Sequence, residues 1–392
     1  MVDVNVGVVL PAAGSGERMS SGASLPKQYI KILKKPLFLY AVEAFLALDY
    51  VKKIVLVADN VGRMSTCLLD AGLGEDDRIL VTGGDTTRHR SIRKGLQELQ
   101  KFRDEFDLKV AIVHDAVRPF VPKALVDELV AESAGAGAAG PVRPLVSTVV
   151  RPDADSFLEG SLKRQLYANS ETPQAFSLDI LSSAYSQISE EELDEGTECL
   201  QLVQNYCGVR AKLIPTEQNL AKVTYHQDVF AVEAVLREKT TDVCVISEKE
   251  TDVLRLLVDS LAGRVSSLKT ILGSPSEKAK ENGKTYNTVV LLHHKEIQPD
   301  LHLLDFANLI DLDRRGLIVH IIDHASVDGL QSMSVYNLHR NSRKMAHHYE
   351  KLHKGVVVIH CVSSNEVQKI ISIVSALTLE DPHTFSGQTL FL

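Results

Sequence analysis

The sequence predicts an α/β protein in which a doubly wound, mostly parallel sheet with a protruding arm is followed by a second, smaller α/β domain. Apolar runs rich in β-branched residues alternate with amphipathic helices over residues 1–238, as in repeated β–α units. Residues 141–175 interrupt this alternation with a polar, less regular stretch. The alternation resumes over residues 239–392, which are too many for a tail.

Each expected element has a local pattern behind it. Val6–Leu10 is a β-branched apolar run of the kind that forms a buried parallel strand. The other strands expected in the first domain are Lys53–Ala58, Arg78–Thr82, Val110–His114, Ala138–Val142 and Ala211–Pro215, and its helices include Pro36–Leu48, Thr87–Phe102 and Asp228–Arg237. In the second domain we expect strands at Val243–Ser247, Thr288–His293, Leu317–Ile322 and Val356–Cys361, with helices at about Thr251–Leu261, Leu303–Asp313, Ser334–Leu352 and Asn365–Leu377.

The composition excludes several classes of protein. Apolar residues make up 44% and charged residues 24% of the chain, which is ordinary for a globular protein. A net charge of −8 argues against a general nucleic-acid binder, although a local cluster of cations could still bind a phosphate substrate. No apolar run reaches the ~18 residues of a membrane-spanning helix. With no signal-peptide pattern and no C-x-x-C spacing, we expect a cytoplasmic (cytosolic) protein with mostly buried thiols at Cys67, Cys199, Cys207, Cys244 and Cys361.

A glycine-rich loop follows the first expected strand. Its small residues let the backbone approach a ligand and aim successive N–H groups at one anion. With Arg18 and Lys27 behind it, the loop predicts a polyphosphate site, and the alternative is a tight turn without a ligand. It is not a Walker A loop, because no Gly-Lys-Ser/Thr closes it. It is not a dinucleotide fingerprint either, because Met19 stands where the third glycine would be. The loop residues are Pro11, Ala12, Ala13, Gly14, Ser15 and Gly16.

Two further motifs follow strands, and the carboxyl ends of parallel strands are where ligands bind in such sheets. Gly83-Gly84-Asp85 permits another close backbone approach, and Ser91 offers a hydroxyl at the opening of a helix. The alternative is a turn with a helix cap from Thr86 or Thr87. Asp115 follows the fourth strand and could hold a metal or substrate hydroxyls, or could form a structural ion pair with Arg118.

Leu10-Pro11-Ala12-Ala13-Gly14-Ser15-Gly16-Glu17-Arg18-Met19, together with Pro26-Lys27-Gln28-Tyr29, resembles the signature of sugar-phosphate nucleotidyltransferases. Specifically, it resembles the cytidylyltransferase branch, which includes the enzymes that act on methylerythritol phosphate and on ribitol 5-phosphate. The resemblance covers about residues 5–238 and implies a Rossmann-like nucleotidyltransferase fold. It also implies transfer of CMP from CTP to a polyol phosphate with release of pyrophosphate, assisted by Mg²⁺ or another divalent cation on the triphosphate.

The resemblance also implies roles for individual residues, including Lys222, which follows Asn219 with one more intervening residue than in the family's N-x-K-V-T. Arg18, Lys27 and Lys222 are expected to stabilise charge during catalysis. The expected CTP contacts are Pro11, Ala12, Ala13, Gly14, Ser15, Gly16, Gly83, Gly84, Asp85, Arg88 and Ser91. The expected acceptor contacts are Asp115, Thr148, Arg164 and Thr172, with Asp115 also a candidate for the Mg²⁺ shell.

In the family, an arm corresponding to residues 141–175 reaches across a homodimer and completes the partner's site. Ala116-Val117-Arg118-Pro119-Phe120 and the added C-terminal domain resemble the ribitol-phosphate branch and its animal members. That resemblance implies CDP-ribitol production for the O-mannosyl glycan of α-dystroglycan. The alternatives are methylerythritol-phosphate cytidylyl transfer, use of UTP or GTP, and a non-catalytic nucleotide-binding module.

The second domain shows no chemistry of its own in the sequence. Its first strand is followed by Ser247-Glu248-Lys249-Glu250 in place of a glycine fingerprint, so we do not expect an oxidoreductase. We interpret the pairs His293-His294 and His347-His348 as surface or packing residues, because cysteine or aspartate companions at ligand spacing are absent. We expect the domain to support the dimer, shape the substrate site or bind a partner.

Overall fold

A computed structural model describes residues 2–14, 25–273, 285–293, 310, 316–323, 332–350, 355–361, 366–379 and 386–392. The chain divides into two compact units, Met1–Glu233 and Ala234–Leu392. The division falls inside one helix, His226–Thr240, close to the expected domain boundary at residue 238. Expectations for Ser15, Gly16, Arg18 and His294 lie outside the described residues, as do those for the loop 274–284 and for nearly all of the helix at Leu303–Asp313.

The first unit contains a mostly parallel sheet. Its strands, together with the short strands beside it, are β1 Asn5–Ala12, β2 Lys31–Ile32, β3 Lys35–Pro36, β4 Val51–Ala58, β5 Ile79–Gly83, β6 Leu108–Val113, β7 Ala138–Pro144, β8 Val150–Pro152, β9 Leu158–Ser161, β10 Ala168–Ser170, β11 Gln174–Ser177 and β12 Lys212–Pro215. Its helices are α1 Leu37–Leu46, α2 Val61–Asp70, α3 Arg88–Gln100, α4 Lys123–Ala136, α5 Leu178–Gln187, α6 Glu190–Glu195, α7 Cys199–Cys207 and α8 His226–Thr240.

The sheet order is β10-β7-β11-β6-β1-β4-β5, with β12 paired to β7. Strand β1 lies between β4 and β6 and is parallel to both, and β5 is parallel to β4. Strands β10 and β11 run antiparallel to their neighbours. The predicted doubly wound, mostly parallel sheet is therefore confirmed.

Both faces of β1 are covered, which explains its unbroken apolar run. Val8 and Leu10 belong to one core cluster, whereas Val9 belongs to the cluster on the other face. Helix α3 packs against the Val9 side at Gly95, where a Cβ atom would lie 2.6 Å from Val9 Cγ1. Helix α3 begins beside the sheet edge at which β1, β4, β5 and β6 end. Thr87 caps this end of the helix by accepting a hydrogen bond from the Arg90 N–H.

The arm contains an antiparallel hairpin of β8 and β9. Several large apolar side chains of this segment are exposed. Val146 is 83% exposed, Phe157 and Leu158 are 71% exposed, and Leu166 is 76% exposed. An apolar surface of this extent in one segment is characteristic of a region that contacts another protein surface.

The second unit contains a parallel sheet in the order β14-β13-β15-β16-β17-β18. The strands are β13 Asp242–Ser247, β14 Ser267–Leu272, β15 Thr288–His293, β16 Leu317–Asp323, β17 Gly355–Cys361 and β18 Thr389–Phe391, and the helices are α9 Asp252–Leu261, α10 Ser332–Glu350 and α11 Val367–Leu379. The sequence did not indicate β14 or β18, because both are edge strands and β14 buries only Ile271.

Three findings limit the functions open to the described residues. His293 Nε2 lies 3.0 Å from His320 Nδ1, so this histidine packs against a second ring of the same sheet. Within the described ranges, no group of three or more histidine, cysteine, aspartate or glutamate residues is arranged to hold a metal ion. A search of the same ranges found no helix with the length and hydropathy needed to cross a membrane.

Candidate active site

A cleft of about 520 Å³ opens where β1, β5 and β6 end. This volume suits a small-molecule ligand. Four separate stretches that contain predicted site residues meet in it, together with Lys222 from a fifth. The lining residues are Pro11, Ala12, Ala13, Gly14, Lys27, Gln28, Asp85, Thr86, Thr87, Arg88, Ser91, Asp115, Val117 and Lys222.

The two glycine-containing loops touch each other beside the cleft. A Cβ atom on Gly84 would lie 2.2 Å from the Cβ of Ala13 and 3.2 Å from the Ala58 carbonyl oxygen. The Gly84 N–H donates to the same carbonyl over 2.7 Å. This close backbone approach requires glycine at position 84, as the sequence predicted. A Cβ atom on Gly83 or on Gly14 would instead have no neighbour within 4 Å.

Ser91 organises the loop between β5 and α3. Its Oγ accepts a hydrogen bond from the Asp85 N–H over 3.0 Å. The Asp85 carboxylate lies 2.8 Å from Lys94 Nζ and accepts from the Thr86 N–H. Hydrogen bonding to Lys94 lowers the pKa of Asp85 to about 2, so the carboxylate is ionised near neutral pH. The loop is therefore held in shape by its own side chains.

Lys27 reaches the cleft because the residues after it are anchored. Gln28 and Tyr29 are buried, and both donate to Asp59 Oδ1, over 2.9 Å and 2.7 Å. Arg63 lies over the Tyr29 ring at 5.3 Å. These contacts fix the short turn Lys27–Tyr29, and they give the Pro-Lys-Gln-Tyr motif a physical reason.

Asp115 lies at the centre of a cluster of cations. Its Oδ1 accepts from Arg88 Nε and Nη2, both over 3.1 Å. Its Oδ2 lies 2.9 Å from Lys222 Nζ and 3.3 Å from Arg118 Nε. Burial would raise the pKa of this carboxyl, but the charges of Arg88, Lys222 and Arg118 outweigh burial and hold the pKa well below its usual range.

Arg118 joins three segments and was considered in the sequence only as a partner of Asp115. That pair is present, but Arg118 Nη1 also contacts the Glu171 carboxylate and donates to the Leu220 carbonyl oxygen. The Val223 N–H donates to the Val117 carbonyl oxygen over 3.0 Å. These bonds hold the Lys222 loop beside the 115–118 turn, and thereby place Lys222 at the cleft.

Arg88 connects the cleft to the start of α7. Its Nη1 donates to the Thr197 carbonyl oxygen over 3.0 Å and lies 3.7 Å from Cys199 Sγ. Helix α7 begins at Cys199 and is capped by Glu198. Arg88 therefore shapes the cleft that it lines, through its contacts with Asp115 and Thr197.

Three of the four predicted acceptor contacts do not line the cleft of their own chain. Arg164 lies on the exposed arm, where it donates to the Val146 carbonyl oxygen over 2.7 Å. Thr148 is also exposed, and neither residue lines the cleft of its own chain. Thr172 is only 4% exposed and lies behind Asp115, with its Oγ 3.3 Å from the Asp115 N atom.

The described acidic residues of the cleft do not form a cation site by themselves. Both oxygens of Asp115 face arginine or lysine nitrogens, and Asp85 faces Lys94 and the Thr86 N–H. In this arrangement both Asp115 carboxylate oxygens are already bonded to cationic side chains, and a place for Asp115 in the Mg²⁺ shell stays a prediction. The residues present fit a divalent cation that arrives on the triphosphate and is held by phosphate oxygens and water.

Comparison with known proteins agrees with this geometry. The family model of IspD, 2-C-methyl-D-erythritol 4-phosphate cytidylyltransferase, matches residues 6–238. The D-ribitol-5-phosphate cytidylyltransferase of Rattus norvegicus is 35% identical, over 98% of this chain and 90% of the relative. The 2-C-methyl-D-erythritol 4-phosphate cytidylyltransferase of Bacillus velezensis is 31% identical, over 59% of this chain and 96% of the relative.

Among solved structures, the Francisella tularensis 2-C-methyl-D-erythritol 4-phosphate cytidylyltransferase matches 58% of this chain and 98% of its own, with a TM-score of 0.49 and 22% identity. The family assignment rests on the two stronger findings. The family model covers more than half of the chain, and the rat relative matches nearly all of it. The chain belongs to the IspD family of cytidylyltransferases.

Proposed function

We propose that this chain transfers CMP from CTP to D-ribitol 5-phosphate and forms CDP-ribitol and pyrophosphate. The observation that carries the proposal is the cationic cleft in which Arg88, Arg118 and Lys222 surround Asp115, with Lys27 on the same lining. Ribitol 5-phosphate is favoured as acceptor because the rat relative that bears this activity in its name matches 98% of the chain, including the second unit.

The reaction needs no covalent intermediate on the protein. A phosphate oxygen of the acceptor attacks the α-phosphorus of CTP, and the bond from the α-phosphorus to the bridging oxygen of the β-phosphate breaks. Negative charge moves onto the leaving pyrophosphate, so positioned cations lower the barrier. We assign this role to Lys27 and Lys222 and, outside the described residues, to Arg18. A divalent cation such as Mg²⁺ would supply further charge neutralisation on the triphosphate.

Asp115 contributes by holding cations in place and, we propose, by accepting hydrogen bonds from acceptor hydroxyls. Ser91 and the backbone of Gly83, Gly84 and Asp85 are proposed to surround the cytosine. From the resemblance to animal members we further propose that the protein acts in the cytosol and that its product serves O-mannosyl glycan synthesis on α-dystroglycan.

Methylerythritol phosphate is the second candidate acceptor, because the matching family model carries that activity in its name. The two are distinguished by pyrophosphate release from CTP in the presence of Mg²⁺ and either acceptor. We expect release with ribitol 5-phosphate to exceed release with methylerythritol phosphate. The reverse order would assign the chain to the second candidate, and release with neither would favour a nucleotide-binding module.

We also propose that the chain acts as a homodimer whose arm, residues 141–175, completes the partner's site. Two observations support this. Arg164 and Thr148 lie on an exposed arm instead of lining the cleft of their own chain. The same arm exposes large apolar side chains, among them Phe157 and Leu166. A second copy would cover these side chains and bring Arg164 to the acceptor phosphate.

Complementation tests this arrangement. Chains carrying Arg164→Ala and chains carrying Lys222→Ala should each be nearly inactive when alone. If the arm serves the neighbouring site, each mixed dimer contains one site with both wild-type residues, and random pairing should restore about a quarter of wild-type activity. Activity is measured as pyrophosphate release after the two chains are unfolded and refolded together. If an equal mixture of the two chains recovered no pyrophosphate release, the proposal that the arm crosses between protomers would be wrong.

A further inference from the structure

A chain of hydrogen bonds runs behind the Asp115 carboxylate. The Asp115 N–H donates to Thr172 Oγ1 over 3.3 Å. Thr172 Oγ1 lies 3.2 Å from His114 Nδ1, and His114 Nε2 lies 2.9 Å from the Arg118 carbonyl oxygen. His114 is 0% exposed and Thr172 is 4% exposed, so these bonds are shielded from competing water.

The hydrogens in this chain can be assigned from the partners. The Arg118 carbonyl oxygen can only accept, so His114 Nε2 carries a hydrogen. Burial lowers the pKa of His114 to about 4, and the ring is therefore neutral near pH 7 with a bare Nδ1. The Thr172 hydroxyl must donate to that nitrogen, while its oxygen accepts from the Asp115 N–H.

This assignment changes the role of Thr172. Its one hydroxyl hydrogen is already used, so Thr172 cannot donate to an acceptor phosphate without losing its bond to His114. The bonds instead close the turn 114–118, in which the Arg118 N–H also donates to the Asp115 carbonyl oxygen over 2.9 Å. The His114 ring is held on its other side by an edge contact with Phe45 at 5.4 Å between ring centroids.

We propose that His114 and Thr172 are positioning residues, which hold the turn and so aim the Asp115 carboxylate at Arg88, Arg118 and Lys222. The proposal deepens the proposed CMP transfer and rests on it for its kinetic part. It explains why a histidine precedes the aspartate and why a threonine 57 residues later is buried against it. Neither side chain needs to touch the substrate for this role.

Kinetics of three variants test the proposal. Thr172→Val keeps the shape of the side chain but removes its hydroxyl, and Thr172→Ser restores the hydroxyl. Ser133→Ala is the control, because it removes a buried hydroxyl of α4 that, in the described contacts, bonds only within its own helix. We expect Thr172→Val to lower kcat ~10²-fold through misplacement of Asp115, with a smaller rise in the KM for ribitol 5-phosphate because Asp115 also binds the acceptor hydroxyls. Thr172→Ser and Ser133→Ala should resemble wild type. A raised KM with an unchanged kcat would instead make Thr172 a phosphate contact.

A double-mutant cycle with Asp115→Asn separates positioning from a general loss of structure. If Thr172 acts through Asp115, adding Thr172→Val to Asp115→Asn should lower kcat by less than about 3-fold further. Full additivity of the two losses would overturn the proposal. Thermal unfolding of each variant shows whether a low kcat reflects a smaller folded fraction.

Nitrogen NMR of histidine-labelled protein tests the hydrogen assignment without any substrate. At pH 7 the wild-type chain should show a neutral imidazole with a protonated Nε2 and a bare Nδ1, and this signal should be absent from His114→Gln. A protonated Nδ1 at this histidine would overturn the proposal. If the expected tautomer is present but the wild-type chain transfers no CMP, the hydrogen-bond chain stands and the proposed function fails.

Discussion

Replacing Lys222 by alanine should lower kcat by ~10²–10³-fold, as loss of one transition-state donor does in other enzymes. Lys222 Nζ lies 2.9 Å from Asp115 Oδ2 on the lining of the cleft, and its side chain is still 37% exposed, so it can reach a bound triphosphate. The charge that it stabilises is larger in the transition state than in bound CTP. We therefore expect kcat to fall more than the KM for CTP rises, as measured by steady-state pyrophosphate release.

Lys123 offers a matched control for this variant. It is an exposed lysine paired with Asp127 over 2.7 Å on α4, and it does not line the cleft. Lys123→Ala should leave kcat within about 3-fold of wild type, because an exposed ion pair contributes little. If Lys222→Ala behaved like Lys123→Ala, the assignment of Lys222 to the reacting phosphates would be wrong.

Replacing Asp115 by asparagine should produce the largest loss of stability. The change leaves Arg88, Arg118 and Lys222 close together without the carboxylate that separates them. Removing one partner of a buried ion pair costs about 3–5 kcal/mol, and we expect the lower end because the cleft admits water. The free energy of unfolding should fall by about 3 kcal/mol in denaturant titrations at pH 7.

The pH dependence of this loss has a definite sign. The pKa of Asp115 is lowered in the folded chain, so the carboxylate stabilises the fold fully above the unfolded pKa of about 3.9. That contribution disappears as the pH falls through the folded pKa. The difference between wild type and Asp115→Asn should therefore be constant from pH 6 to 8 and should shrink only below about pH 4.

Asp179 provides the control for stability. It pairs with Arg103 over 2.6 Å, and its side chain is 65% exposed. Asp179→Asn should change the free energy of unfolding by less than about 1 kcal/mol at pH 7. If Asp115→Asn and Asp179→Asn lowered the free energy of unfolding equally, repulsion among Arg88, Arg118 and Lys222 would be small. That result would contradict the central role given to Asp115.

Local patterns in the sequence predicted the fold and most of the cleft, because three of its motifs lie directly after strands of a parallel sheet. Gly84 and Lys27 could be identified because close backbone approach and a placed cation depend on short stretches of chain. The role of Arg118 could not, since its partners Glu171 and Leu220 lie 53 and 102 residues further along the chain.

Thr172 shows that contacts between distant segments can also change the role that a motif implies for a residue. Motif matching alone implies that it contacts the acceptor phosphate, but the strand pairing of β11 with β6 buries it behind Asp115. Edge strands were missed for a different reason. A strand such as β14 contacts the core with few side chains, so its sequence lacks the apolar run on which the prediction depends.

The most direct test of the central claim is pyrophosphate release by the purified wild-type chain with CTP and Mg²⁺, comparing ribitol 5-phosphate with methylerythritol phosphate and with no acceptor. The Lys222→Ala chain serves as the blank, and mass spectrometry identifies the product. We expect release that depends on ribitol 5-phosphate, accompanied by CDP-ribitol. Release that depends on methylerythritol phosphate, or CTP binding without any transfer, would contradict the proposed function.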